Sequence, residues 1–443
     1  MGDGALFRAF ATGARALRRL GVPGPAGVPP RELDGFAYDG AYMVAARLWT
    51  LRRAEPSWSR AHAAWSEATL RPGLVDALCG TLHADDQIRL IPEGAAGFAA
   101  REALYAAARE RIDIATYYVQ SDETGWITAR ALSDCVARGV RVRLLMDRHV
   151  VAKKRVVVPG MDEMLAFLRR AGIEVRLWRD PKRPYDSNHR KLLAVDGRAA
   201  IVGGRNFADH YRGDAWRDLD LRLEGPSVGS LIELFEQVWS STDEHGDVRP
   251  GAPVPRAELP WVDYTPAQIL EDPMSRFALA SMQAGVRTLD LEFAYFAAHD
   301  PLCGALEEAV RRGVRVRLLT NSAESNDLPF STYTGYLAMR RLLAAGGGVR
   351  ARRGRGRTLH CKYFVADGVR VGFGSHNLDY YSSRYCCELN LQVRDDRLGT
   401  ALSAFFETGW NEATVVDLEG EVKPFLQEQR TLRLFDRVFR DFE

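Results

Sequence analysis

The residues with the most chemical content occur twice, at one spacing. A histidine and a lysine stand one residue apart. After four intervening residues comes an aspartate, and after six more Gly-Gly or Gly-Ser, one variable residue, and Asn. The first copy is His189, Lys191, Asp196, Gly203, Gly204 and Asn206; the second is His360, Lys362, Asp367, Gly374, Ser375 and Asn377. On an extended strand, positions i and i+2 point to the same face, so each imidazole projects beside an ammonium. Glycines let a backbone approach a ligand closely, and Asn supplies amide donors. Two converging copies would set two imidazoles, two ammoniums and two amides around one small volume. That set suits a phosphodiester: positive charge for the non-bridging oxygens, one His to attack phosphorus, the other to protonate the leaving oxygen.

One His-x-Lys alone is weak evidence, because histidines beside surface lysines are common. Composition sharpens the duplicated pair. Of 60 basic residues only six are Lys (Lys153, Lys154, Lys182, Lys191, Lys362, Lys423) and 54 are Arg, a skew that looks like GC-rich coding. At that ratio, drawing Lys at both motif positions by chance is roughly a one-in-a-hundred event, and a compact ammonium is not interchangeable with a guanidinium. An imidazole also needs a partner on its second nitrogen to fix tautomer and orientation. Asp218 lies 29 residues after His189 and Glu388 lies 28 after His360, each beginning a matching strand. Asp218 and Glu388 are therefore expected to orient the histidines. Asp196 and Asp367 complete the motif's catalytic set by spacing, although their place after a strand suits a salt bridge at the turn better than contact with substrate.

The elements that must position these residues are themselves repeated. ARGVRVRLLMD (137–147) recurs as RRGVRVRLLTN (311–321), and HRKLLAVDG (189–197) as HCKYFVADG (360–368). IDIATYYV and LDLEFAYF precede the former pair, and DLDLRL and ELNLQV follow the latter. Each has the look of a strand, and the strand-helix-strand order implies parallel pairing in an α/β architecture. Helices carrying Phe235 and Trp239, then Phe406 and Trp410, close the two units. This organisation predicts a mainly helical extension at 1–95, units at 96–243 and 275–415, and a Pro-rich connector without regular structure at 244–274. A C-terminal amphipathic helix is predicted at 416–443, where Leu432, Phe435, Phe439 and Phe442 share a face.

Several classes fall away. A formal charge of +2 argues against a general nucleic-acid coat. No apolar run approaches the about eighteen residues of a membrane-spanning helix, and the N-terminus lacks the form of a secretion signal. Six cysteines without a CxxC pair predict reduced thiols, no metal site and a cytoplasmic protein. The basic ARRGRGR (351–357) is read either as a guide for anionic headgroups or a nucleic-acid backbone, or as a solvated loop.

HRKLLAVDGRAAIVGGRN and HCKYFVADGVRVGFGSHN together resemble the phospholipase D superfamily, whose two HxKxxxxD motifs meet at a pseudo-twofold axis. SNHRKLLAVDG, GGRNFADHY, WRDLDLRLEGPSV and LLTNSAESND are most similar to bacterial cardiolipin synthases. One departure is Tyr381, which stands where such synthases usually carry Arg. The resemblance implies two tandem mixed-sheet α/β units, no cofactor, and a phosphohistidine intermediate on His189, with His360 as acid and base. The reverse assignment stays open. It implies that Lys191, Lys362, Asn206, Asn377 and Ser375 hold the phosphoryl oxygens. It further implies a phospholipid substrate (a phosphatidylglycerol-like donor, an alcohol or second phospholipid as acceptor), no nucleic-acid partner, and peripheral attachment to an anionic membrane on the cytoplasmic face. Hydrolytic phospholipase D and nuclease activities are the alternatives; a non-enzymatic scaffold with a decayed site is disfavoured because both motifs are intact.

Overall fold

In the computed structural model, the described residues are 74–253, 259–266, 273–283, 286–297 and 300–429, with Tyr42, Ala46 and Arg433. The first half builds β1 (Gln87–Ile91), β2 (Arg111–Thr116), β3 (Arg141–Asp147), β4 (Glu174–Trp178), the two-residue β5 (Ser187–Asn188), β6 (Leu192–Val195), β7 (Ala199–Gly203) and β8 (Asp220–Glu224). All but β5 join one sheet in the order β1-β8-β7-β6-β2-β3-β4. After β9 (Trp261–Tyr264), the second half builds β10 (Thr288–Phe293), β11 (Arg315–Asn321), β12 (Gly348–Arg352), β13 (Lys362–Ala366), β14 (Arg370–Gly374), β15 (Cys386–Arg394) and β16 (Thr414–Val415). As the strand-helix-strand order requires, β2 pairs with β3 in parallel through the helix Glu123–Ala137, and β10 with β11 through the helix Asp300–Arg311. The motif strands β6 and β13 then insert antiparallel beside β2 and β10.

Alternation along β6 and β13 explains how two units share one centre. On β6, Leu193 and Val195 face the core of the first unit, whereas Leu192 and Ala194 face a second core. On β13, Phe364 and Ala366 face the core of the second unit, whereas Tyr363 and Val365 enter that same second core. The shared core also takes Phe235 and Trp239 from the helix Val228–Ser240 and Phe406 from the helix Asp396–Glu412. Each motif strand is thus buried on both faces, one against its own unit and one between the units. The starts of β6 and β13, where His-x-Lys lies, are held at the same interface.

Three sequence-based boundaries change. Residues 87–91 belong to the first sheet, not to a helical extension, because β1 pairs antiparallel with β8 along its whole length. The connector contains β9: Trp-Val-Asp-Tyr is a Pro-free aromatic and β-branched run between Pro260 and Pro266, and it pairs with β15. At the C-terminus, a π-helical turn at Leu418–Val422 runs into the helix Lys423–Glu428. The expected amphipathic stretch beyond it, like residues 1–41, lies outside the described residues apart from Arg433.

Candidate active site

The two halves meet by exchanging strand ends. β5 pairs in parallel with the start of β15, Ser187 opposite Cys386 and Asn188 opposite Cys387. The His189 amide then donates to the Cys387 carbonyl at 2.9 Å. At the equivalent crossing Arg217 bridges Leu359, and the His360 amide donates to the Arg217 carbonyl at 2.7 Å. Each histidine therefore enters the site beside the residue that precedes the other half's carboxylate. His189 Nδ1 lies 3.0 Å from both oxygens of Glu388, and His360 Nδ1 lies 2.7 Å from Asp218 Oδ2. Asp218 and Glu388 face the histidines, but each serves the histidine of the opposite half. A carboxylate at Nδ1 keeps the proton there and leaves the Nε2 lone pair for chemistry.

All four groups are buried, as are both lysines. Lys191 Nζ donates to the His189 carbonyl at 2.7 Å and Lys362 Nζ to the His360 carbonyl at 2.5 Å, so each ammonium is tethered within its own motif. Burial disfavours every charge here. It lowers His189 to about 4, an effect that Glu388 only partly offsets, and lowers Lys191 to about 7. His360 lies well below its ordinary value through burial and the adjacent Lys362 and Lys191. Burial raises Asp218 despite Lys362 and Arg205, whereas at Glu388 the hydrogen bond and charge contributions of His189, His376 and Lys191 together outweigh burial and lower it. The resting site holds two neutral imidazoles, and an anion bound between the two lysines would favour their charged forms.

The family model described as "Cardiolipin synthase, PLD-like domain" matches residues 102–239 and 279–410, more than half of the chain. The chain belongs to that family. Cardiolipin synthase A of Pseudomonas entomophila is 26% identical over 363 residues, spanning 79% of this chain and 74% of that protein. Cardiolipin synthase A of Pseudomonas aeruginosa is 28% identical over 342 residues, spanning 74% of this chain and 68% of that protein. Among solved structures, the phosphatidylserine synthase of Haemophilus influenzae aligns with a TM-score of 0.59 at 14% identity, covering 80% of this chain and 94% of that one. The polyphosphate kinase of Porphyromonas gingivalis aligns at 0.53 and 12%, covering 84% and 55%. At such identities the two structures establish the fold alone.

Within this phospholipase D-like framework, other motif residues act at one remove from the histidines. Ser375 Oγ donates to Glu388 Oε2 at 2.5 Å and accepts from the Leu389 amide at 2.9 Å, so its hydroxyl is spent on the orienting carboxylate. Its counterpart is Gly204, where a Cβ would overlap Asp218 Oδ1. Asn206 accepts from the Tyr117 amide and Thr116 Oγ1 at 3.2 Å and donates to Tyr211 Oη at 2.8 Å. Asn377 Nδ2 lies 3.4 Å from Ser382 Oγ, while its buried Oδ1 has no hydrogen-bond partner among the described residues. In this geometry the Ser375 hydroxyl and one N–H of the Asn206 amide brace the walls.

Asp196 and Asp367 lie at the far ends of the motif strands, away from the histidines. Asp196 accepts backbone N–H groups of Arg109, Glu110 and Arg111, and Asp367 those of Arg287 and Thr288. Both adopt positive φ, 52° and 51°, in tight turns that an Asx side chain tolerates. They are turn brackets that dock the motif hairpin onto the start of β2 or β10, and Asp367 also makes the expected salt bridge at the turn, to Arg370 at 4.0 Å. Arg353 of the basic loop pairs with Glu421, which assigns one charge of ARRGRGR to the C-terminal turn.

The motif spacing gave no sign of the aromatic walls. Tyr117 stands edge-on to His189 at 4.9 Å between ring centroids; Tyr211 and Trp216 lie 5.2 and 5.4 Å from His360, and Tyr295 6.2 Å. His210 packs on both Tyr211 and Trp216 at 4.4 Å, and burial, with Lys154, lowers it to about 4. The available signal was the placement of Tyr117-Tyr118 and Tyr295 directly after β2 and β10, at strand ends that open on the site. Arg190 was missed too: it is buried and bound by Asp263 of β9, which locks the first His-x-Lys to the connector strand.

Proposed function

We propose that the protein is a phosphatidyl transferase of the cardiolipin synthase type, moving a phosphatidyl group from one phospholipid to an alcohol of another. The observation that carries this reading is the pair of crossed histidine–carboxylate dyads, Glu388–His189 and Asp218–His360, flanked by buried Lys191 and Lys362. A diester phosphate between them places its two non-bridging oxygens against the two ammoniums. His189 Nε2 attacks phosphorus while the bond to the headgroup oxygen breaks and His360, carrying a proton on Nε2, gives it to that oxygen. His360, now neutral, takes the proton of the incoming hydroxyl. That oxygen attacks phosphorus, the phosphorus–nitrogen bond breaks, and His189 returns neutral. The anionic phosphate offsets the desolvation that lowers both lysines and His360.

Phosphatidylglycerol is the proposed donor, and peripheral attachment to an anionic membrane on its cytoplasmic face belongs to the same proposal. Its support is the substrate: among the described residues no helix is long and apolar enough to cross a membrane. Incubation with phosphatidylglycerol vesicles, with and without an added alcohol, tests the reading by mass spectrometry of products. A new phospholipid carrying the alcohol is expected. Phosphatidic acid alone would make the enzyme a hydrolase, and cleavage of single-stranded DNA with no new lipid would overturn the lipid reading.

A further inference from the structure

Four of the six lysines gather at one place. Besides Lys191 and Lys362, Lys153 and Lys154 stand on the helix Arg148–Val157, which starts directly after β3. Lys154 Nζ donates to Gln120 Oε1 at 2.8 Å and lies 4.2 Å from the centroid of the Tyr118 ring; Tyr118 Oη in turn lies 3.3 Å from His210 Nε2. The chain of contacts continues through His210 onto Trp216 and so to His360. Lys153 is within electrostatic reach of Asp327 in the other half.

The repeat gives this meeting its meaning. Asp147 ends β3 and its carboxylate accepts the Asn188 amide, one residue before His189; Asn321 ends β11 and its side chain accepts the Leu359 amide, one residue before His360. Counting six residues on from each of these matched anchors gives Lys153 in the first half and Asp327 in the second. One repeat position carries opposite charges, and the lysine acts electrostatically on the aspartate across the two halves. Asp327 is firmly placed: Thr358 Oγ1 and Ser325 Oγ tie its loop to the strand that carries His360 and to β12. Its Oδ1 accepts from Tyr295 Oη at 2.7 Å, and the Tyr295 ring stands edge-on to His360. Asp327 is solvent-exposed, yet the protein around it raises its pKa by desolvation.

We propose that Asp327, Lys153 and Lys154 form an acceptor subsite on the His360 side, selecting an alcohol with a second hydroxyl and a phosphate beyond it. Asp327 accepts the hydroxyl next to the reacting one, and the two lysines take the phosphate. This rests on the phosphatidyl-transfer reading. The test uses the full chain with a phosphatidyl-p-nitrophenol donor, so that the departing group makes no demand on the subsite. 1-Propanol, glycerol and glycerol 3-phosphate compete as acceptors, and product ratios are measured within one reaction. Asp327→Asn is expected to lower the glycerol-to-propanol ratio about tenfold, the weight of one hydrogen bond to a charged group. Lys153→Met with Lys154→Met is expected to lower the glycerol-phosphate-to-glycerol ratio about as much and to spare the glycerol-to-propanol ratio. Unchanged ratios in turning-over variants overturn the subsite. Should a variant not fold, the unmodified enzyme decides, since equal use of all three acceptors overturns the subsite as well. Absence of nitrophenol release from the unmodified enzyme would refute the transfer reading instead.

Discussion

The two halves keep the same scaffold and the same His, Lys and Asn at the centre, while differing in the residues that brace them. Asp147 and Asn321 perform one task, capturing the amide just before the motif histidine, with a carboxylate in one half and an amide in the other. Gly204 leaves room for Asp218, whereas Ser375 fills the matching space and binds the longer Glu388. At the two crossings, Arg190 lies against Cys387 and Arg217 lies against Cys361. Each arginine reaches a buried carboxylate, Asp263 or Glu292, past a small thiol. The comparison teaches that the backbone crossing is the repeated unit, and side chains are free to diverge provided each crossing remains filled and neutral.

That symmetry breaks most sharply at the histidines. His189→Ala and His360→Ala should each reduce turnover by about 10⁴-fold or more, but only His189→Ala should abolish the acid-labile phosphoryl adduct seen by mass spectrometry. Loss of the adduct in His360→Ala alone would reverse the assignment. The orienting carboxylates sharpen the same contrast: Glu388→Gln and Asp218→Asn should cost about 10²- to 10⁴-fold. Because the dyads cross, Glu388→Gln should suppress the adduct and Asp218→Asn should be partly rescued by a p-nitrophenol leaving group. The opposite pattern would mean that each carboxylate serves its own half.

Acid should act through the same dyads. His189 is lowered to about 4, so its neutral, nucleophilic form persists far below the ordinary histidine range, and activity limited by this group should fall only as pH drops through about 4. Across the interval between the ordinary value and about 4 the unfolded chain binds a proton that the folded one refuses, so stability falls as pH falls. Lys191, lowered to about 7, has the converse ligand effect: affinity for dimethyl phosphate, anionic throughout, should weaken as pH rises above about 7. A flat titration by calorimetry would contradict this.

Smaller effects separate scaffold from site. Gly204→Ser forces a side chain onto Asp218 and should lower both stability and rate, whereas Ser375→Gly removes the hydrogen bonds to Glu388 and the Leu389 amide and should cost about 1–3 kcal/mol. Equal responses would show that the two positions are not distinguished by their carboxylates. Asp196→Ala should lower the unfolding free energy by about 1–2 kcal/mol through its freed amides, with turnover per folded molecule nearly intact. A selective loss of rate would return Asp196 to the catalytic set.

Much of this architecture was legible in the sequence because local signals and the repeat agreed. The β-branched runs after Gly139 and Gly313 form β3 and β11, and the matched motifs mark where the strands converge. Three features were not legible, each for a physical reason. The crossing of Glu388 to His189 depends on pairing between Asn188 and Cys387, about two hundred positions apart, and no local propensity encodes it. β9 is four residues among prolines, and it becomes a strand because β15 offers an edge. The aromatic walls carry no motif of their own; Tyr211 and Trp216 acquire meaning only when His360 arrives from the other half.

The exchange of strand ends makes the seam between the halves and the reactive centre one object. A small opening along that seam, too slight to melt either sheet, would unhook both histidines from their carboxylates at once. Activity is then a gauge of how firmly the seam is closed: on warming it should vanish before helix and strand content changes, and it should return when the seam closes again.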